Sequence, residues 1–237
     1  QAAVGWRYSD AASLTASVSS RTRFPTLFER YSTRFGTAVA NPDLESERAT
    51  SLELAWESQL ASGARVSASL FYADVRNMNQ TVVVATAPSQ LTQAQNVGDG
   101  ENYGTELAGD IQASDRLTLG GNFTWLHRRI ADPLQPALRA VGTPKLQGLL
   151  FATYELPRGF SVTPSVEAAS SRWSDVTGGS YKEVGAYTLL NLQLQYRASE
   201  AFALSVGGRN LLDRNYSLAD GYPEPGRTVD GELQFTF

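Results

Sequence analysis

The sequence contains no cysteine, and it has one histidine and one methionine among its 237 residues. The lack of cysteine excludes disulfide bridges, thiol catalysis and thiolate metal sites. Because His127 is the only histidine, a histidine-based metal centre or catalytic triad is not expected. We therefore predict that the protein is not an enzyme and that it has no metal site and no cofactor.

A long apolar run is also missing. Although 42% of the residues are hydrophobic, no stretch approaches the ~18 apolar residues that a membrane-spanning helix needs. Basic residues do not cluster and the formal net charge is -4, which argues against nucleic acid as a partner. The first ten residues (QAAVGWRYSD) have neither the basic nor the apolar region of a signal peptide. We therefore expect either a cleaved leader or a start within a longer protein.

What the sequence does contain is an alternation of apolar and polar residues with a period of two. Residues 190–196 (LNLQLQY) and 232–237 (ELQFTF) show it clearly. This period is typical of β-strands with two different faces, and it predicts an all-β protein with about eleven strands. The predicted strands are 1–8, 13–23, 47–59, 64–76, 100–113, 116–129, 143–156, 160–173, 185–197, 202–210 and 226–237.

The segments between these strands alternate between short and long. Many of the strands have about 11 to 14 residues, which suits a tilted membrane-crossing strand better than a soluble one. Short turns are predicted at 9–12, 60–63, 114–115, 157–159 and 198–201, and long polar loops at 24–46, 77–99, 130–142, 174–184 and 211–225. This arrangement is typical of an outer-membrane antiparallel β-barrel with periplasmic turns and extracellular loops. A soluble β-sandwich or β-helix is the alternative, and the strand lengths count against it.

Two further features agree with a barrel. Aromatic residues near strand ends fit the two interfacial girdles of such a barrel, and the set is Tyr8, Trp56, Tyr72, Trp125, Tyr154, Trp173 and Tyr196. An odd number of antiparallel strands leaves the first and last strands parallel, whereas bacterial single-chain barrels usually close with an even number. Eleven strands therefore predict the C-terminal half of a twenty-two-stranded barrel, a size associated with plugged transporters.

Four stretches carry a resemblance to a known family. They are residues 23–31 (RFPTLFERY), residues 41–47 (NPDLESE), residues 96–98 (NVG) with 103–107 (YGTEL), and residues 209–216 (RNLLDRNY) with 221–227 (GYPEPGR) and the terminal Phe237. In order and spacing they resemble the C-terminal barrel region of TonB-dependent outer-membrane receptors of the cobalamin and siderophore type. We interpret most of these motif residues as architectural, because Asn and Pro favour turns.

The resemblance implies a function and partners. A receptor of this family imports a ferric siderophore, cobalamin or a similar bulky chelate across the bacterial outer membrane. Its partners are membrane lipid, its own plug domain, the TonB complex and the barrel-assembly machinery, for which Phe235 and Phe237 resemble the assembly signal. The plug and the TonB box are not found in residues 1–237, so we expect the whole chain to be barrel. The alternative is a plugless passive pore or structural barrel formed by this chain alone.

The family also implies two sets of candidate site residues. Ligands bind from outside, so the loop candidates are aromatic and arginine residues in or beside the loops: Tyr31, Arg34, Trp173, Tyr181, Tyr216 and Tyr222. Charged residues expected to face the lumen are candidates for contacts with the plug: Arg21, Arg23, Glu53, Glu57, Glu106, Asp110 and Glu155. A third hypothesis is that Arg128 and Arg129, at the outer end of a strand, contact anionic lipid headgroups.

Overall fold

The computed structural model describes residues 1–60, 63–132, 137–176 and 180–236. In these ranges no helix is long and apolar enough to cross a membrane. The helices are α1 (Leu27–Tyr31) and two single 3-10 turns at Arg34–Gly36 and Pro157–Gly159. The strands are β1 (Ala2–Ser9), β2 (Ala12–Arg23), β3 (Ala38–Val39), β4 (Glu47–Gln59), β5 (Arg65–Arg76), β6 (Asn79–Ala85), β7 (Leu91–Asn96), β8 (Asp99–Ser114), β9 (Leu117–Ala131), β10 (Leu146–Leu156), β11 (Phe160–Ala169), β12 (Arg172–Val176), β13 (Ser180–Val184), β14 (Tyr187–Arg197), β15 (Phe202–Arg209), β16 (Ser217–Ala219), β17 (Tyr222–Pro223) and β18 (Thr228–Phe235).

Eleven of these strands form one sheet in which every neighbouring pair is antiparallel. Their order is β1-β2-β4-β5-β8-β9-β10-β11-β14-β15-β18, which follows the order along the chain as in a meander. The number of strands predicted from the sequence is confirmed, and the predicted strand 47–59 coincides with β4. The largest error is at β11, which ends at Ala169 and not at residue 173.

The sheet has one apolar and one polar face. Directly opposed residues of antiparallel strands lie on the same face, and apolar pairs such as Leu107–Phe123 and Leu150–Val166 recur across the sheet. The exposed fraction of Leu150 is 68% and that of Leu233 is 71%. So large an exposed apolar surface needs a partner, and membrane lipid is the one that the alternating pattern of a transmembrane barrel predicts.

The polar face is not uniformly polar, and its aromatic residues cover glycines. Phe71 breaks the alternation of β5, and its ring lies over Gly104, where a Cβ atom would come 2.7 Å from the ring. Phe151 covers Gly120 in the same way, with a Cβ placed 2.5 Å from its ring. Close packing therefore requires these two glycines, and at Gly104 the Trp125 carbonyl oxygen would come even closer to a Cβ atom, at 2.1 Å.

The two rims of the sheet differ as the sequence predicts. Short turns join strands at one rim, which we call the turn rim. Long segments join them at the other, the loop rim. We call these segments L1 (24–46), L2 (77–98), L3 (132–145), L4 (170–186) and L5 (210–227). Within the described ranges they contain seven further strands: β3, β6 and β7 form a sheet shared by L1 and L2, while β12–β13 and β16–β17 are hairpins in L4 and L5.

The aromatic side chains lie near both ends of the strands, with one exception. Near the turn rim, the Trp56 indole N–H donates a hydrogen bond to the Tyr8 hydroxyl, with 2.7 Å between the two atoms, and Tyr196 stacks on Phe160 at 4.4 Å between ring centroids. Trp173 does not belong to a girdle, because it lies in β12 of L4. The prediction placed it in a strand because the alternation continues past the end of β11.

Candidate ligand-binding loops and polar face

Asn96 of L2 contributes to the contact between L1 and L2, in addition to the pairing of β3 with β7. The Asn96 side-chain amide donates to the backbone oxygens of Glu45 (3.1 Å) and Asn77 (3.0 Å), and its Oδ1 accepts from the Glu45 N–H (2.8 Å). The two bonds to Glu45 hold L2 against L1, and the bond to Asn77 lies within L2. The motif residue Asn96 therefore has an architectural role, as interpreted from the sequence.

The NPDLE part of L1 is held from both sides. Leu44 is 1% exposed, and its carbonyl oxygen accepts a hydrogen bond from the Arg30 guanidinium at 2.7 Å. The Asn41 amide donates to the Ala94 carbonyl at 2.8 Å. Leu44 is thus the anchor of L1, and the loop returns to β4 in a fixed conformation.

Helix α1 begins with a capping box. The Thr26 hydroxyl accepts from the Glu29 N–H (3.2 Å) and the Glu29 carboxylate accepts from the Thr26 N–H (2.8 Å), which satisfies two free N–H groups of the first turn. The Thr26 N–H lowers the pKa of Glu29, partial burial opposes this, and a hydrogen bond from Arg23 lowers it further. Arg23 thus contacts Glu29 and lies 3.9 Å from Glu47, so it supports L1.

L3, L4 and L5 form a second group of packed loops. The Arg139 guanidinium lies 4.1 Å from the centroid of the Trp173 ring, and the Gly142 N–H donates to the Trp173 carbonyl at 2.8 Å. Between L4 and L5, the Lys182 ammonium lies 2.7 Å from the Asp220 carboxylate. These contacts hold the described parts of L3, L4 and L5 together at the loop rim.

A polar and aromatic cluster lies where L4 and L5 meet the outer ends of β11 and β14. The Tyr187 hydroxyl donates to the Glu167 carboxylate at 3.0 Å, and the Tyr187 and Tyr216 rings are 4.6 Å apart. Burial raises the pKa of Tyr216, and the nearby Glu224 carboxylate raises it further. Since Glu167 and Tyr187 point to the polar face, the cluster lies at the outer end of that face.

Arg172 is the member of this cluster with unused hydrogen-bonding capacity. It is 8% exposed, and its guanidinium carbon lies 5.6 Å from the centroid of the Tyr187 ring. In the described part of the chain its Nε and one terminal nitrogen have no hydrogen-bond partner. Buried N–H groups without acceptors are unfavourable, so these two nitrogens can bind a carboxylate or another anionic oxygen.

The motif in L5 fixes the bend that follows β15. Asn210 is 3% exposed, its Oδ1 accepts from the Arg214 N–H at 2.8 Å and its amide donates to the Arg214 carbonyl at 2.9 Å. The Asp213 carboxylate accepts from the Arg227 N–H at 2.8 Å. Both Asn210 and Asp213 have positive φ, at 49° and 52°, a conformation that Asn and Asp tolerate better than most residues.

All six loop candidates lie in the long loops, but the structure separates them into two groups. One group is in L1 and the other in L4 and L5. Tyr31 ends α1, and the Arg34 guanidinium lies over the Phe28 ring at 5.6 Å. The remaining four, all in L4 and L5, are Trp173, Tyr181, Tyr216 and Tyr222.

All seven lumen candidates lie on the polar face according to the register of the strands. Asp110 forms a salt bridge with Arg65 at 3.0 Å, and Arg23 is engaged with L1 as described above. In the described ranges the other five have no salt bridge and are available to a partner inside the lumen. These five are Arg21, Glu53, Glu57, Glu106 and Glu155.

Other candidate residues lie elsewhere or were missed. Phe235 is the last residue of β18 and faces outward with Leu233, while Phe237 lies outside the described residues. Sequence reasoning did not select Arg172 or Tyr187, because an arginine or tyrosine beside a loop is usually exposed and no local pattern distinguishes a buried one. Among the described residues, no group of three or more His, Cys, Asp or Glu is placed to hold a metal ion.

Comparisons with known proteins agree with this architecture. Residues 1–211 match the family model described as TonB dependent receptor-like, beta-barrel. The chain is 25% identical over 186 residues to the metal-pseudopaline receptor CntO of Pseudomonas aeruginosa, covering 76% of this chain and 26% of that protein. It is 23% identical over 217 residues to the iron-regulated outer membrane virulence protein of Vibrio cholerae, covering 81% and 31%.

Solved structures share the fold along nearly the whole chain. The copper transporter OprC superposes with a TM-score of 0.84 at 20% identity, covering 99% of this chain and 39% of its own. The ferric enterobactin receptor PfeA of Pseudomonas aeruginosa, in complex with enterobactin, gives 0.79 at 18% identity and covers 99% and 40%. This chain thus spans about a quarter to two fifths of the proteins that it matches.

The meander of long strands, the apolar outer face and the family match lead to one conclusion. The chain belongs to the β-barrel family of TonB-dependent receptors, which are outer-membrane receptors and transporters and not enzymes.

Proposed function

We propose that this chain is the barrel part of a TonB-dependent importer of a metal held by a bulky chelator, such as a ferric siderophore. The metal chelators or metals in the names of CntO, OprC and PfeA support this ligand class. Cobalamin has less support, because none of the four proteins compared above is named as a cobalamin receptor.

We further propose that the eleven strands are the C-terminal half of a twenty-two-stranded barrel. The odd strand count supports this, since β1 and β18 run in the same direction and cannot pair as neighbours in an antiparallel barrel. The solved structures are each about two and a half times as long as this chain, which agrees with a missing half and a plug. Residues 1–237 would then be barrel throughout.

The same proposal assigns partners to each surface. The plug would lie against the polar face, where Glu53, Glu57 and Glu106 have no salt bridge within the described ranges. The apolar face would contact membrane lipid, and the TonB complex would act through the N-terminal part of the whole protein. The assembly machinery would recognise the last strand, with Phe235 and Phe237 as the signal.

The proposal of ligand binding rests on one observation, the unpartnered hydrogen-bond donors of the buried Arg172 side chain. This residue of L4 is buried beside Tyr187, and two of its nitrogen donors are unused among the described residues. Anionic oxygens of a chelator that enters from the loop rim would satisfy these donors, and the nearby Tyr187 and Tyr216 rings would supply rigid apolar contact. The plug is the alternative source of such an oxygen, so chelate binding is measured as well as uptake.

The test measures the binding and the uptake of a radioactive ferric chelate by cells that produce the full-length protein. Replacing Arg172 by Gln should weaken chelate binding about tenfold or more, because hydrogen bonds to charged groups contribute ~1.5–3 kcal/mol. Arg214→Gln is the matched control, since that side chain is exposed in L5. Unchanged binding and uptake with R172Q would contradict the role of Arg172. TonB-independent conductance without chelate uptake would favour the passive pore.

A further inference from the structure

The charges of the polar face are unevenly distributed near the loop rim. The register places Arg21 of β2 and Arg128 of β9 on this face, whereas Arg129 points outward. The hypothesis that both Arg128 and Arg129 contact lipid is therefore wrong for Arg128. At the outer ends of β11 to β18, by contrast, the charged residues of the polar face are mostly acidic.

An open cavity of about 570 Å³ lies on this acidic part of the polar face, along β11, β14, β15 and β18. As far as the chain is described, its charged lining residues are four acidic ones and one arginine: Glu167, Glu224, Asp230, Glu232 and Arg209. The Arg209 Nε atom lies 3.3 Å from the Asp230 carboxylate, which offsets one negative charge. Neither Glu224 nor Glu232 forms a salt bridge within the described ranges, so the cavity has a net negative charge.

Arg172 adjoins this cavity through two tyrosine rings. Its guanidinium carbon lies 5.6 Å from the centroid of the Tyr187 ring, and the centroids of the Tyr187 and Tyr216 rings are 4.6 Å apart. Tyr216 and Glu167 line the cavity, and the Tyr187 hydroxyl donates to the Glu167 carboxylate at 3.0 Å. A buried cation with unused donors therefore lies next to a group of carboxylates.

The effect of these carboxylates reaches Tyr216. Burial raises the pKa of Tyr216, and the Glu224 and Glu167 carboxylates raise it further. The Tyr216 hydroxyl is therefore protonated at neutral pH and adds no negative charge to the cavity. A ligand that binds here meets a cation at one end and carboxylates at the other, with aromatic rings between them.

Building on the proposed import of a chelate, we propose that this site selects a zwitterionic chelate, which presents a carboxylate to Arg172 and a protonated amine to Glu167 and Glu224. Each charged group of such a ligand has a partner of opposite charge, and the part between them packs on the tyrosine rings. In a ferric tris-catecholate the doubly deprotonated catecholates leave the complex strongly negative. Such a chelate is attracted by Arg172 but repelled by Glu167 and Glu224, and repulsion of this kind gives specificity.

The test measures direct binding of ferric chelates to the full-length protein by isothermal titration calorimetry. The probe is a neutral ferric tris-hydroxamate that carries a lysine coupled through its α-amine, so that a carboxylate and an ε-ammonium group are free. Acetylation of the ε-amine removes the positive charge, and a methyl ester removes the negative one. We expect each derivative to bind about tenfold more weakly than the probe, and a ferric tris-catecholate to bind more weakly as well.

Two variants assign the two charges to their partners. Glu224→Gln should remove most of the effect of acetylation and strengthen the binding of the tris-catecholate, whereas Arg172→Gln should remove the effect of the methyl ester. Glu200→Gln is the matched control, because it removes the same charge from an exposed residue in the turn between β14 and β15. A retained heat-dependent shift on gels shows that each variant is folded.

Three results would overturn this proposal and leave chelate import intact. Equal binding of the probe and its two derivatives would show that the charges are not recognised. Tighter binding of the tris-catecholate than of the probe would show that the carboxylates do not repel it. An undiminished effect of acetylation in the folded Glu224→Gln variant would show that the amine binds elsewhere. If the protein binds none of these ferric chelates, the proposed function itself is contradicted.

Discussion

At the scale of single residues, the conformation of the long loops depends on a few polar side chains that form hydrogen bonds within and between these loops. Asn96 makes two hydrogen bonds to Glu45 of L1 and one to Asn77 within L2, and Asn210 fixes the bend after β15 while 3% exposed. Such groups are costly to remove because their partners are left without hydrogen bonds. They determine loop conformation and contribute little to the membrane-spanning sheet.

We therefore predict a local effect for Asn96→Ala. The loss of its two bonds to Glu45 should loosen the contact between L1 and L2 and speed proteolysis within residues 24–46 about tenfold, because each bond contributes ~0.5–1.5 kcal/mol. The heat-dependent gel shift of the full-length protein should not change. Gln95→Ala is the control, since Gln95 bonds only the Gln93 side chain within β7. Equal rates of proteolysis of the two variants would show that Asn96 does not hold L1 against L2.

The sequence revealed some of these residues and not others. Asn41, Asn96 and Asn210 were identified because each belongs to a recognisable motif. Arg172 was not identified, because its burial results from the packing of L4 over β14 and L5, which no local pattern records. The site residues chosen from the sequence thus have the right location in loops or on the polar face, but their roles remain predictions.

At the scale of elements, strands were predicted far better than loops. Apolar and polar residues alternate in a strand because its two faces meet different surroundings, so β4 and β14 can be recognised in the sequence. Strand β3 pairs with β7 from more than fifty residues away, as Ala38–Thr92 shows, and two-residue strands have no period of their own. Helix α1 was missed although Thr26 and Glu29 have the spacing of a capping box.

Helix α1 should lose protection at acidic pH. The pKa of Glu29 is below its usual value of 4.5 in the folded protein, so its contribution to stability is complete above that value. The contribution is lost as the pH falls below 4.5 and through the folded pKa. Hydrogen exchange of the amides of residues 26–32, corrected for intrinsic rates, should therefore show falling protection. Glu29→Gln should remove this pH dependence; if it persists in that variant, another group is responsible.

The two faces of β10 should respond differently to charge. Leu150 is outward-facing and 68% exposed, so Leu150→Arg should lower the free energy of unfolding in lipid by ~2–4 kcal/mol. Gln147→Arg, on the polar face of the same strand, should cost less because that face is hydrated or meets polar groups. The measurement is equilibrium unfolding of the full-length protein in lipid vesicles. Equal costs would contradict the assignment of the faces.

At the scale of the whole molecule, the sheet has two open edges in the described ranges. Strands β1 and β18 are at its ends, and exposed edges of long strands promote association. We predict that residues 1–237 produced alone aggregate or assemble wrongly in detergent. Size-exclusion chromatography after refolding tests this. A monodisperse, heat-resistant monomer would contradict the prediction and favour a barrel that this chain closes by itself.

The central claim is that this sheet is half of the barrel of a plugged importer, and one measurement tests it most directly. The mass and N-terminal sequence of the mature protein should be determined from native outer membranes. We predict a species much larger than 25.7 kDa, with a plug sequence and further strands ahead of Gln1. A mature species of 25.7 kDa that begins at Gln1 would contradict the claim and support a small, self-contained pore.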